Sequence, residues 1–194
     1  MRSHPILATG LSAALAVVAV TLPASAMVVV ERDFADLVAR AEQIVVGTVT
    51  EVRDADDPAG APATYVTLSE LRVVKGGARD TLTLRFYGGT SGSVAVHIPD
   101  MPTFAVGDRA VLFIAGNGRD VCPLVGVWQG RFRVRFDSTR GVDVVETDDR
   151  TPVLGVAGRK LLRGARATDA SAAVSLDDFL GLISAELAAP TVAK

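Results

Sequence analysis

The alternation of apolar and polar positions divides the chain into elements of two periods. Over Asp33 to Glu42, Phe34, Leu37, Val38 and Ala41 fall at i, i+3, i+4 and i+7, and Asp33 stands where an N-cap belongs, so a short helix with one apolar face is predicted. From Gln43 the period becomes two. Ile44, Val46, Thr48 and Thr50 line one face and Val45, Gly47, Val49 and Glu51 the other, a strand apolar on both faces at its start. Residues 53 to 62 read as a loop by composition, followed by strands over 63 to 74 and 81 to 87. The last of these alternates most cleanly, with Leu82, Leu84 and Phe86 against Thr81, Thr83 and Arg85, as expected of a half-buried antiparallel strand.

Residues 88 to 104 form a long irregular stretch marked by Gly88-Gly89, Gly92, Pro99 and Pro102; in a compact domain such stretches tend to carry function. A strand over 109 to 115 leads to Gly116-Asn117-Gly118, a hairpin signal. The return strand is predicted over 121 to 136, bent at Gly126 and Gly130. Along it Trp128, Phe132, Val134 and Phe136 take the inward parity and Arg131, Arg133 and Arg135 the outward one. Short strands over 142 to 145 and 151 to 156 follow, then a linker over 158 to 174. A last helix over 175 to 189 is capped by Ser175, has Asp178 at the capping-box position, and carries Leu176, Phe179, Leu180, Ile183 and Leu187 as its stripe. No internal repeat is visible.

Residues 1 to 26 have the grammar of a targeting segment: Arg2 in the n-region, an uncharged apolar run from Ile6 to Leu22, then Pro23 and Ala24-Ser25-Ala26 as a cleavage site. The expectation is an exported protein, periplasmic or secreted, with no membrane span after cleavage. Losing Arg2 and no acidic residue takes the formal charge from −2 to −3. That balance, with no long basic block, argues against nucleic acid as a partner. One cysteine supports neither a disulfide framework nor a thiolate zinc cage, and the apolar neighbours of Cys122 point to a buried small hydrophobe.

Many short strands, one strongly bent strand and two helices predict a mainly β fold, a small closed antiparallel OB-type barrel with an N-terminal helix and a C-terminal amphipathic helix. The residues also resemble a family. The run from Leu37 through Arg40-Ala41-Glu42-Gln43-Ile44-Val45-Val46-Gly47-Thr48-Val49 is similar to the helix-to-first-strand entry of the netrin-like domain, the OB-type barrel of the tissue inhibitors of metalloproteinases. Val74-Lys75-Gly76 before Asp80-Thr81-Leu82-Thr83-Leu84, and Gly107 through Gly116, fit the same order, so the resemblance spans Phe34 to Gly116; uncharacterised exported bacterial proteins share the pattern. The resemblance implies an OB/netrin-like domain over 27 to 157. It implies no inhibitory residue: the family's inhibitors coordinate the protease zinc through an amino-terminal cysteine, whereas the mature chain here would begin at Met27-Val28-Val29-Val30.

Candidate chemistry is sparse. Asp54, Asp56 and Asp57, and again Glu146, Asp148 and Asp149, offer oxygen ligands without the glycine and distal Glu of a calcium loop, and read as solvated acidic loops; no metal and no cofactor is expected. Ser91, His97 and Asp100 place a hydroxyl, an imidazole and a carboxylate on one loop, but no nucleophile elbow accompanies them. The ladder Arg131, Arg133 and Arg135 is the most regular polar feature, either the wet face of an edge strand or a receptor for an anion or acidic partner. The expectation is a non-enzymatic binding protein, sharpest as an accessory or inhibitor-like protein partner of an exported metalloprotease. Ligand or partner contacts fall to Arg131, Arg133, Arg135, His97 and Asp100. A carbohydrate or small-anion module is the alternative, separable by whether the Arg ladder and the 88 to 104 loop line one concave surface; a hydrolase using His97 is third.

Overall fold

A computed structural model describes residues 30 to 165 and 170 to 189; the proposed leader lies outside them. In chain order the elements are α1 (Phe34–Arg40), β1 (Gln43–Asp56), β2 (Pro62–Lys75), β3 (Leu82–Tyr87), β4 (Gly89–Ser91), β5 (Val94–Val96), β6 (Arg109–Ile114), a 3-10 turn (Val127–Gly130), β7 (Arg131–Asp137), β8 (Val142–Thr147), β9 (Val153–Ala157), β10 (Lys160–Arg163) and α2 (Leu176–Ala188). The fold is mainly β and antiparallel, as its patterning predicts. The main sheet has six strands in the order β3-β2-β1-β6-β7-β8, with β9-β10 and β4-β5 as separate two-stranded ribbons.

No sheet closes into a barrel, contrary to the expectation. The two 14-residue strands β1 and β2 shift register three times and curl the sheet, which brings β3 round toward the far end of β6. What spans the remaining gap is the irregular 121 to 125 segment. It is held by single bonds: Tyr87 N–H to the Val121 carbonyl at 2.9 Å, Ala115 N–H to Pro123 at 3.0 Å and Val125 N–H to Phe113 at 2.9 Å. The Asn-Gly turn thus returns the chain antiparallel to β6 through the single Ile114–Leu124 bridge rather than a continuous hairpin ladder. The Asn117 side chain caps the β3 edge, accepting from Arg85 N–H and donating to the Thr83 carbonyl.

Two clusters fill the two faces of the sheet. On one, Phe34, Leu37 and Val38 of α1 and Phe179, Leu180 and Ile183 of α2 pack on Ile44, Val111, Phe113 and Phe132. Phe34, Phe132 and Phe179 meet edge-on or tilted, at 4.9 Å and 5.8 Å between ring centroids. Both helices start as their sequences predict: Asp33 accepts from Asp36 N–H, and Ser175 from Asp178 N–H. On the other face, inside the curl, lie Val45, Val49, Val66, Leu68, Leu84, Phe86 and Leu112, with Met101, Phe104 and a half-buried Cys122 packed against them. Burial pushes the Cys122 thiol up to about 11, so it behaves as packing rather than as a nucleophile.

Three other boundaries differ from expectation. β1 and β2 extend through most of the acidic loop, leaving only 57 to 61 as turn, because Arg53 stacks on the Tyr65 ring at 4.6 Å across the hairpin. The stretch read as linker carries β10, which pairs with β9 across a turn at Gly158. The long return strand does not exist before residue 131. Gly126 and Val127 both take left-handed backbone, φ +66° and +60°, and the chain makes a 3-10 turn in which a Cβ on Gly130 would sit 2.6 Å from the Val125 carbonyl.

Candidate functional site

The predicted arginine ladder is not uniformly solvent-facing: Arg131 is buried, Arg133 half-buried and Arg135 exposed. Arg131 and Arg133 pair across the ladder with Leu112 and Ala110, which places them on the inner face of the curl, where the segment from Met101 to Asp108 crosses over them. The Arg131 side chain is fully buried, 0% exposed. It donates to the Thr103 carbonyl and, at 2.8 Å, to the Asp108 carboxylate, lies 3.2 Å from Asp148, and covers the Phe104 ring at 4.0 Å. Burial, and then the Arg133 charge, lower the Arg131 guanidinium from its ordinary value, against the upward pull of Asp148 and Asp108; it remains charged. Arg133 bonds the Asp148 carbonyl at 2.9 Å and approaches its carboxylate at 3.5 Å, while Arg135 pairs with Glu146 at 2.7 Å.

Each ladder cation thus has a carboxylate partner within the fold. The ladder and the 88 to 104 loop do not line one concave surface, because the loop's own last residues, Thr103 and Phe104, lie over Arg131. Phe136 and Trp128 depart from their predicted inward positions as well. Phe136, at the end of β7, is 61% exposed, and Trp128 rides the 3-10 turn at 37% exposure.

The acidic residues read as solvated loops are structural pins. Asp54 accepts from Thr90 N–H at 2.8 Å, and the Thr64 hydroxyl, 2.8 Å from Asp54 and 3.0 Å from the Gly88 carbonyl, shares its one proton between them. Asp148 serves two arginines, and Asp149 accepts from the Thr147 hydroxyl. Asp57 accepts from Ala59 and Ala61 N–H, both at 2.9 Å, and pairs with Arg85 at 2.9 Å. The Ala61 N–H, with Ala59 and Arg85 behind it, outweighs burial and holds the Asp57 carboxyl below its ordinary value of 3.8.

A carboxyl depressed by folding contributes stability that is present above its unfolded value and is lost as pH falls through the folded one. Thermal unfolding followed across roughly pH 5 to 2 should therefore show a falling midpoint that is shallower in Asp57→Asn. Parallel pH profiles for the two proteins would contradict the assignment.

These pins brace one continuous segment at both ends. At its start Gly88 N–H bonds the Pro62 carbonyl at 2.9 Å, and Asp54 and Thr64 hold Gly88 to Thr90. At its end Arg131, Asp108 and the Phe104 ring, itself 5.3 Å from Phe86, fix residues 103 to 108. Between the anchors lies the β4-β5 hairpin, with Val94 54% exposed at its tip. A groove of about 370 Å³ runs beneath the segment, lined by Val66, Phe86, Ile98, Met101, Phe104 and His97.

His97 is itself exposed, and no hydrogen bond joins it to Ser91 or Asp100; Asp100 is exposed in left-handed backbone, φ +61°. Among the described residues no group of three His, Cys, Asp or Glu side chains could hold a metal ion, and no helix is long and apolar enough to cross a membrane. The braced segment is a property of pairs distant in sequence, Asp54 with Thr90 and Arg131 with Thr103. The only sequence signal for it is that so irregular a stretch sits between two clean strands. Comparison with protein-family models, with curated proteins and with solved structures finds no match.

Proposed function

We propose that this chain is an exported, non-enzymatic binding protein that presents residues 88 to 104 to a protein partner. The single observation carrying this reading is the hairpin that is braced at both ends and exposed between them. A recognition segment held in one conformation before encounter loses less freedom on binding, so more of its contact energy appears as affinity. Its tip offers Val94 and its flank His97 beside an apolar groove, the mixture of apolar and polar contacts that an interface core and rim require. Within this reading the curled sheet is an opened OB-type barrel, and the netrin-like resemblance makes an exported metalloprotease the sharpest partner class.

The test is site-specific photocross-linking in the producing cell, with benzoylphenylalanine at position 94 and, as a control, at position 60 in the β1-β2 turn. One adduct formed from position 94 and not from position 60, carrying an exported protease, supports the proposal. Equal, scattered adducts from both positions, or an adduct from position 60 alone, overturn it.

A further inference from the structure

A second cleft, of about 470 Å³, lies between the start of α1, the 3-10 turn and β10, and shares no lining residue with the groove beneath residues 88 to 104. Its volume is in the range of small-molecule sites, roughly 300–1,000 Å³. Most polar groups around it are spent. Gln129 accepts from Arg32 N–H at 2.8 Å and donates to the Val30 carbonyl at 3.0 Å, which ties the entering chain to the 3-10 turn. Glu31 pairs with Arg163 at 3.2 Å, and Asp33 and Asp36 share Arg159 at 2.9 and 3.1 Å.

Three lining groups keep unspent capacity. Among the described residues the Arg32 guanidinium has no hydrogen bond or ion pair, and its Nε is shut off from solvent without a partner. The Lys160 ammonium and the Trp128 indole N–H likewise have none, and the indole is partly exposed. Two cations beside a flat apolar ring call for a ligand that carries an anion on a ring with an apolar face. The flanking carboxylates narrow the class. Asp33, Asp36 and Glu31 would repel a dianionic phosphate, yet each has lone pairs to accept from hydroxyls.

We propose that this cleft binds an acidic sugar, a uronic acid whose ring stacks on Trp128, whose carboxylate is gripped by Arg32 and Lys160, and whose hydroxyls donate to the carboxylates at the rim. The site goes beyond the partner-binding reading and does not depend on it.

Trp128 is the chain's one tryptophan, so intrinsic fluorescence reports on the cleft directly. The purified chain is titrated with glucuronate, galacturonate, a short oligogalacturonate, glucose and adenosine monophosphate, with calorimetry as the second readout. The expected result is saturable binding of the uronates, none of glucose, and at least roughly tenfold weakening in Arg32→Gln, a loss of about 1.4 kcal/mol. The circular-dichroism melt of that variant should be unchanged, because the Arg32 contact to Gln129 is made by the backbone. Tighter binding of the oligomer than of the monomer would identify an envelope or matrix polymer as the source, and equal binding a free sugar; both support the site. The proposal is overturned by glucose binding as well as the uronates, by adenosine monophosphate binding more tightly, by Arg32→Gln binding as wild type does, or by no saturable signal from any uronate.

Discussion

Replacing Arg131 by alanine should lower stability by about 2–4 kcal/mol, because a buried cation is removed from between two carboxylates and the Phe104 ring loses its cover. Removing one partner of a fully buried pair costs about 3–5 kcal/mol; the lower figure applies here because Asp108 and Asp148 keep 29% and 20% exposure and can recover some hydration. For a chain of this size that is a fall of roughly 5–15 °C in Tm. Arg131→Met keeps the buried apolar stem, though not the guanidinium over Phe104, and leaves Arg133 near both carboxylates, so it should lose less than the alanine variant. The alanine variant should also become cleavable between residues 99 and 108 under conditions where the wild type resists. A loss below about 0.5 kcal/mol for Arg131→Ala, the range of ordinary surface changes, would mean that the pair holds nothing.

Phe179→Ala should cost about 3–5 kcal/mol, the range for truncating a fully buried aromatic side chain. Phe179 is 0% exposed and its ring meets both Phe132 on β7 and Phe34 on α1, so the change opens a cavity where the two helices and the sheet converge. Leu187, the last residue of the same stripe but 37% exposed, is the internal control, and Leu187→Ala should stay within about 1 kcal/mol of wild type. Chemical denaturation of both variants separates two arrangements of α2. Docked on its own sheet, as here, the helix gives a large gap between them; a helix reserved for a partner would give small and similar losses.

The elements most legible in the sequence are those whose period is set by a single buried face. α1 and α2 are such elements, with capping side chains where the sequence places them, and so is β3, whose Leu82, Leu84 and Phe86 all face the core. β7 is not, because it is covered on both faces at Arg131 and Phe132 and on neither at Arg135 and Phe136. Arg131 has the parity of a wet position and is buried, since the strap that crosses it brings a carbonyl, a carboxylate and an aromatic ring to receive its charge. Phe136 has the parity of a core position and is exposed, since the helices do not reach the end of the strand. Alternation tells which residues share a face. It does not tell what lies over that face.

The same limit applies to the site. The irregular character of residues 88 to 104 is visible in their glycines and prolines, and His97 can be placed on that segment from sequence. What braces the segment cannot, because Asp54 reads as one more loop acid and only a folded β1-β2 hairpin brings it to Thr90. A strand bent at Gly126 and Gly130 gives Trp128 an inward parity; two successive left-handed residues, Gly126 and Val127, end that path and leave the indole partly exposed. Partners distant in the chain decide whether a charge is free for a ligand. Here they spend the conspicuous arginines and leave the inconspicuous Arg32 unspent.

Amide hydrogen exchange through residues 87 to 108 tests the braced segment most directly, because exchange reports local opening. The bonds described predict slow exchange at Tyr87, Gly88, Thr90, Ala105 and Asp108, whose N–H groups are all engaged, and faster exchange at Ala105 and Asp108 in Arg131→Met with Tyr87 and Gly88 unchanged. Exchange of all five amides as fast as in an unfolded peptide, while the strands β1 and β6 stay protected, would show an unbraced loop and contradict a preformed recognition segment.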